Sequence, residues 1–217
     1  MSLRHEPADG DATLGAMAEA STRQRMIETA VRLFRRHGYH ATSWRTLVDE
    51  AGTPWGSAHH HFPGGKEQLA VAAIELGSEG VIGLIEKMFR EARGPAAAVR
   101  SYCRATAEQL AASSWLEGCP VATVALEATS ESEAIHAAAK AAFDRWREVM
   151  AGHFVETGLP RRRATHVAML VLANVEGALL LSRASRSKEP LLVAGDHLAD
   201  LITRELADAS AEGSRRG

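Results

Sequence analysis

Apolar residues recur at helical spacing along most of the chain, and the breaks between them fall on glycine and proline. Ile27, Ala30, Val31 and Phe34 stand at i, i+3, i+4 and i+7 behind a Ser21/Gln24 capping-box pattern. That pattern predicts a helix from Ser21 that ends at Gly38 after the basic turn Arg35-Arg36-His37, which complements the helix dipole. Leu47, Val48 and Ala51 share one face of a second, short helix closed by Gly52. Thr53 is placed to cap a third, with Pro54 as its first residue and Ala58 and Phe62 as its buried side. Leu69, Ala73, Leu76, Gly80, Leu84 and Met88 predict a long helix from Lys66 to about Phe89.

After Gly94-Pro95 the pattern predicts a helix over Ala98 to Ser113, then a break at Gly118-Cys119-Pro120 and a short helix opened by Pro120 and running through Leu126. A second capping-box pattern, Ser130 with Glu133, leads into Ile135, Ala139, Ala142, Phe143, Trp146, Val149 and Met150. Leu159-Pro160 opens a helix whose middle, VAMLVLANVEGALLL, is apolar nearly all round. Glu189-Pro190 starts the last, with Leu191, Leu198, Leu201, Ile202 and Leu206 on one side. The fold class is therefore all-α. Met1 to Ala20 shows no sustained periodicity and is expected to be a mobile arm.

Two consequences follow from these faces. A helix, a tight turn containing glycine and a second helix with a polar outer side form the geometry that lays a recognition helix in a DNA major groove. An all-round apolar helix beside an amphipathic last helix is explained by burial from two sides. Pairing with the same two helices of another copy gives an isologous four-helix interface, and a fully internal core helix is the alternative.

Charge sharpens the first reading. The whole chain of 217 residues carries a formal −2, yet residues 22–66 hold seven basic residues against three acidic ones, a net +4. An acidic remainder behind one basic module suits a protein that offers DNA a single surface. Cys103 and Cys119 lack metal-ligand spacing, and no apolar leader stands at the N-terminus, so a reduced, cytoplasmic protein is expected. Val167 to Leu181 is interrupted by Asn174 and Glu176 and falls short of the roughly 20 residues a membrane span needs. Consecutive helical residues point about 100° apart, so His59, His60 and His61 cannot converge on one ion. No metal and no cofactor is expected.

The residues Ala51-Gly52, Pro54, Gly56-Ser57 and His60-His61-Phe62-Pro63-Gly64-Gly65-Lys66-Glu67-Gln68-Leu69 resemble the DNA-binding domain of the TetR family of bacterial transcriptional regulators. Gly118-Cys119-Pro120-Val121 is similar to the branch that includes the LmrA and YxaF repressors. The resemblance implies an N-terminal three-helix helix-turn-helix domain over 21–66 and a connecting helix over 67–89. A ligand-binding and dimerisation domain over 90–210 and a tail over 211–217 complete the expected organisation. It implies that Arg45 reads a base, that Trp55 and Gly56 face bases, and that Trp44, Ser57, His59, His61 and Lys66 hold phosphates. Trp44 replaces a small hydroxyl residue, His59 a tyrosine, and Ala58 a leucine or isoleucine of the family pattern.

The same resemblance implies a double-stranded DNA operator, a homodimer joined through the last two helices, and an effector-binding body. The apolar candidates for the effector pocket are Trp115, Val121, Phe143, Trp146, Met150 and Met169, with His136 and Asn174 as polar ones, pointing to a hydrophobic small molecule. Two rivals remain at this point: a DNA-packaging protein without operator preference, and a small helical hydrolase using Cys119 and His136, for which no nucleophile context exists. The chain is not expected to be an enzyme.

Overall fold

The computed structural model describes residues 9–214, with side chains for residues 21–212 and 214. Among these residues it contains nine α-helices and no strand. The first, α1 (Asp9–His37), begins well ahead of the expected Ser21. Ala12, Leu14, Ala16, Met17, Ala18, Glu19 and Ala20 are strong helix formers, and together they outweigh Gly10 and Gly15. Over residues 9–20 the expected arm is therefore helix; residues 1–8 lie outside the described residues, as do 215–217 at the other end.

Helix α2 (Trp44–Glu50) is capped by Ser43, whose Oγ accepts the Thr46 N–H at 3.0 Å. Gly52 follows at φ +58°, the left-handed turn that its position required. In α3 (Trp55–His61) the cap is Pro54, not Thr53: the Ala58 N–H donates to the Pro54 carbonyl at 3.0 Å. Thr53 is buried instead, and its hydroxyl turns back to the Ala51 carbonyl at 3.4 Å. Ala58 and Phe62 are fully buried in one cluster with Met26, Ile27, Leu47 and Val48, so the first three helices close over a common core.

Helix α4 (Gly65–Glu91) corrects the expected register of its apolar face. Leu69 and Ala73 are buried as expected, but beyond them Ile74, Ser78, Ile82 and Ile85 are the buried positions, while Leu76 and Leu84 stand half-buried on another side. The helix is apolar over so much of its circumference that spacing alone could not separate a packed face from a cavity wall.

The body consists of α5 (Pro95–Ala112), α6 (Ala122–Ala128), α7 (Glu133–Glu156), α8 (Arg161–Ser185) and α9 (Glu189–Ser214). Ser132, and not Ser130, caps α7 by accepting the Ile135 N–H at 3.1 Å. α7 packs on α4 and α8, and α9 packs on α5 and α8. Arg163 fastens the start of α8 to α9 through Glu205 at 2.8 Å and Glu212 at 3.2 Å.

Within one chain α8 is buried on one side only. Val167, Val171, Val175 and Leu179 face the core, whereas Met169, Leu170, Leu180 and Leu181 are exposed, the last by 60%. A fully internal core helix is thereby excluded. By length and composition α4 and α8 would each suffice to cross a membrane, α8 against the shorter estimate from its apolar run; both lie packed among other helices here, as bundle helices do.

Candidate nucleic-acid interface and ligand cavities

The turn from α2 to α3 fixes which side chains reach outward. Arg45, on the first turn of α2, has 80% of its side chain exposed and pairs with Asp49 at 3.6 Å. Trp55 and Gly56 at the start of α3 are exposed, Ser57 is half-buried beside them, and His59 is exposed one turn on. His59 has Trp44 on one side and Trp55 on the other, with ring centroids 5.6 Å and 6.3 Å away.

Two expected phosphate ligands are placed differently. The Trp44 indole is half-buried and its Nε1 is enclosed without a hydrogen-bond partner, so it packs beneath His59 and does not present its N–H outward. Lys66 lies with Nζ 3.9 Å from the centre of the Tyr39 ring, a cation–π contact. Burial lowers its pKa, and Glu127 and Glu131 oppose that shift. His61 is half-buried and meets His60 edge-on at 5.5 Å.

Most of the arginines behind the basic count serve the fold. Arg25 donates to the Ala51 carbonyl at 2.9 Å, Arg32 pairs with Glu50 at 3.3 Å, and Arg23 lies 5.4 Å over the Phe62 ring. Arg35 turns toward the body. Arg35 donates through Nε to the Gly118 carbonyl at 3.0 Å and pairs with Glu117 at 3.3 Å, while the Gly118 N–H returns a bond to the Arg35 carbonyl at 2.9 Å. Arg183 of α8 donates to the Arg36 carbonyl at 3.1 Å. The end of α1 is thus held by the stretch before α6 and by α8.

That same stretch walls two cavities. The first, about 240 Å³, lies among α1, α4, α5 and α8 and is lined by Leu76, Val81, Leu84, Tyr102 and Glu176 among others. The second, about 420 Å³, lies between α6, α7 and α8. Gly118, Cys119, Glu176 and Leu179 line both, so the cavities meet there.

Of the residues expected to form an effector pocket, only Phe143 lines one of these two cavities. Val121, Trp146 and Met150 are buried in the core, and the Trp146 indole donates to Ser78 Oγ at 2.9 Å. Trp115 is half-buried in the turn after α5, and His136 is exposed on α7. Met169 and Asn174 are on the exposed side of α8, where Asn174 donates to its own helix at the Leu170 carbonyl, 2.8 Å away. Of the aromatic and Met candidates, Trp146 and Met150 are core.

The polar lining was missed, although one signal was visible: Glu176 interrupts the most apolar run of the chain. Burial raises the pKa of its carboxyl, against a lowering hydrogen bond from Cys119. Burial likewise pushes the Cys119 thiol and the Tyr102 phenol up, and Cys103 to about 12. Such thiols stay protonated at neutral pH, the opposite of an activated nucleophile.

Comparison with known proteins accords with this arrangement. Residues 26–73 match the bacterial regulatory proteins of the tetR family, and residues 95–197 match the C-terminal domain of LmrA/YxaF-like transcriptional regulators. The HTH-type transcriptional regulator Rv0196 of Mycobacterium tuberculosis is 35% identical over 193 residues, covering 87% of this chain and 97% of that one. The HTH-type transcriptional regulator LmrA of Bacillus subtilis is 31% identical over 188 residues, covering 87% and 100%. The crystal structure of a TetR transcriptional regulator from Chloroflexus aurantiacus superposes with a TM-score of 0.73 at 27% identity, over 87% of this chain and 98% of that one. The chain belongs to the TetR family of bacterial transcriptional regulators, in the branch with an LmrA/YxaF-like C-terminal domain.

Proposed function

We propose that this regulator is a cytoplasmic repressor that binds a palindromic operator as a homodimer and is released by a hydrophobic small molecule. Residues 21–66 act as the reading head, 67–89 as the connecting helix and 90–210 as the effector-binding and dimerisation body. Arg45, Trp55 and Gly56 face bases, and Ser57, His59, His61 and Lys66 contribute phosphate contacts, Lys66 by leaving Tyr39. A dimer would hold two α3 helices about 34 to 36 Å apart, one turn of B-DNA.

The observation that carries this reading is the double duty of the stretch around α6. It grips the end of α1 through Gly118 and Glu127 and also walls both cavities. A ligand that fits one setting of α6 better than another therefore changes the preferred position of the head, and operator affinity falls by the coupling free energy. Support for the dimer comes from the bare apolar side of α8, continued on α9 by Leu192 and Val193.

The test is a gel-shift titration with the DNA upstream of the protein's own gene, with and without hydrophobic compounds. Retarded DNA that is freed by a compound is the expected result. Equal binding to unrelated DNA at one salt concentration would instead favour a packaging protein.

A further inference from the structure

We propose that the effector is a cation, a protonated amine on an apolar skeleton, and that Glu176 is its counter-ion at the seam of the two cavities. The inference rests on the effector-released reading above and gives its ligand a charge.

Glu176 is the one residue of α8 that brings a carboxyl to both cavities. Among the described residues Glu176 forms no salt bridge, and the group that acts on its carboxyl is the neutral thiol of Cys119. A lone carboxyl in an apolar wall is unfavourable whenever it is ionised, and a leucine would fill the place at less cost. A ligand that brings the missing positive charge removes that penalty.

The other polar groups around the seam do not supply it. Arg35 is balanced by Glu117 at 3.3 Å. Arg183 lines the second cavity, but its Nη2 is held 3.1 Å from the Arg36 carbonyl, at the negative end of the α1 dipole. The Tyr102 phenol and the Cys119 thiol are kept neutral by burial. Glu176 therefore remains the carboxyl at the seam without an ion pair, and an ammonium beside it can also meet the aromatic faces of Tyr102 in the first cavity and Phe143 in the second.

The test titrates the full-length protein, followed by tryptophan fluorescence and thermal shift, with matched probes on naphthyl and biphenyl skeletons. Each skeleton carries in turn a methylammonium, a methanol or a carboxylate group. The expected result is a preference of about tenfold or more for the amine over the alcohol, lost in Glu176→Gln. Equal binding of amine and alcohol, or tightest binding of the carboxylate, overturns the cation and leaves the hydrophobic effector standing. Failure of all probes, whatever their charge, overturns both. The charge series is read on the unaltered chain, so it decides the matter even where Glu176→Gln does not fold.

Discussion

The His40 backbone N–H, just beyond the end of α1, donates to Oε2 of Glu127 on α6 at 2.7 Å, and the His40 ring meets the Glu127 carbonyl at 3.1 Å. Gly38 makes that approach possible. It sits at φ +82°, and a Cβ there would lie 2.0 Å from Glu127 Oε1. Gly38→Ala is expected to lower stability by about 1 to 2 kcal/mol through the left-handed backbone alone, with a further loss from displacing Glu127. Adding Glu127→Ala should recover the second part and not the first. Denaturant titrations of the two variants check this, and a Gly38→Ala chain as stable as the parent would refute it.

Glu176 gives a pH-dependent signature that is separate from any ligand. Its folded pKa is raised by burial above the ordinary 4.5, so below that value both folded and unfolded states hold the proton and the carboxyl costs nothing. As pH rises through the folded pKa, the unfolded chain ionises freely while the native one must keep the proton or bear a buried charge, and stability falls. Glu176→Gln should therefore raise Tm at about pH 7, with the gain vanishing near pH 4. A gain that is constant across this range would contradict the assignment.

Trp146 separates the core from the cavities. Trp146→Phe removes the bonds from its indole to Ser78 Oγ and the Ser78 carbonyl and is expected to cost about 1 to 3 kcal/mol in stability. Compound binding should persist, since neither cavity is lined by this residue. Loss of binding in a folded Trp146→Phe chain would return Trp146 to the effector site.

Arg45 tests the proposed reading surface apart from the fold. Its side chain is 80% exposed, so Arg45→Ala should leave Tm nearly unchanged while operator affinity drops by roughly tenfold or more. Ser43→Ala is the contrasting variant: it removes the cap of α2 and should cost about 1 kcal/mol in stability. Melting curves beside gel shifts distinguish the two effects.

The helix-turn-helix segment is the most legible part of the chain, because short helices depend on local chemistry. Leu47, Val48, Gly52, Ala58 and Phe62 all occupy the positions that their spacing and backbone freedom predict. Caps were legible only to within a residue or two: Ser43, Pro54 and Ser132 hold the places, and neighbouring hydroxyls at Thr53 and Ser130 had equal claim from sequence. The cavity was illegible for a different reason. Apolar residues line voids and fill cores alike, so Trp146 and Leu84 could not be told apart until the neighbouring helices were in place. What did carry information was the exception, Glu176 within VAMLVLANVEGALLL, since a charge in such a run has to be explained by its surroundings.

The outer side of α8 supplies the last prediction. Leu181 is 60% exposed in one chain, and Leu170, Leu180 and Val193 are exposed with it, so Leu181→Glu changes little in an isolated protomer. In the proposed dimer it sets a charge against the same face of a second copy, where nothing neutralises it. Sedimentation should show a dimer for the parent and a monomer for the variant, both helical by circular dichroism. Each recognition helix would then bind its half-site alone, and losing the effective concentration of the second should weaken operator binding by roughly 10²-fold or more. A parent chain that sediments as a monomer at operator-binding concentrations would remove the two-fold symmetry on which the palindromic operator depends.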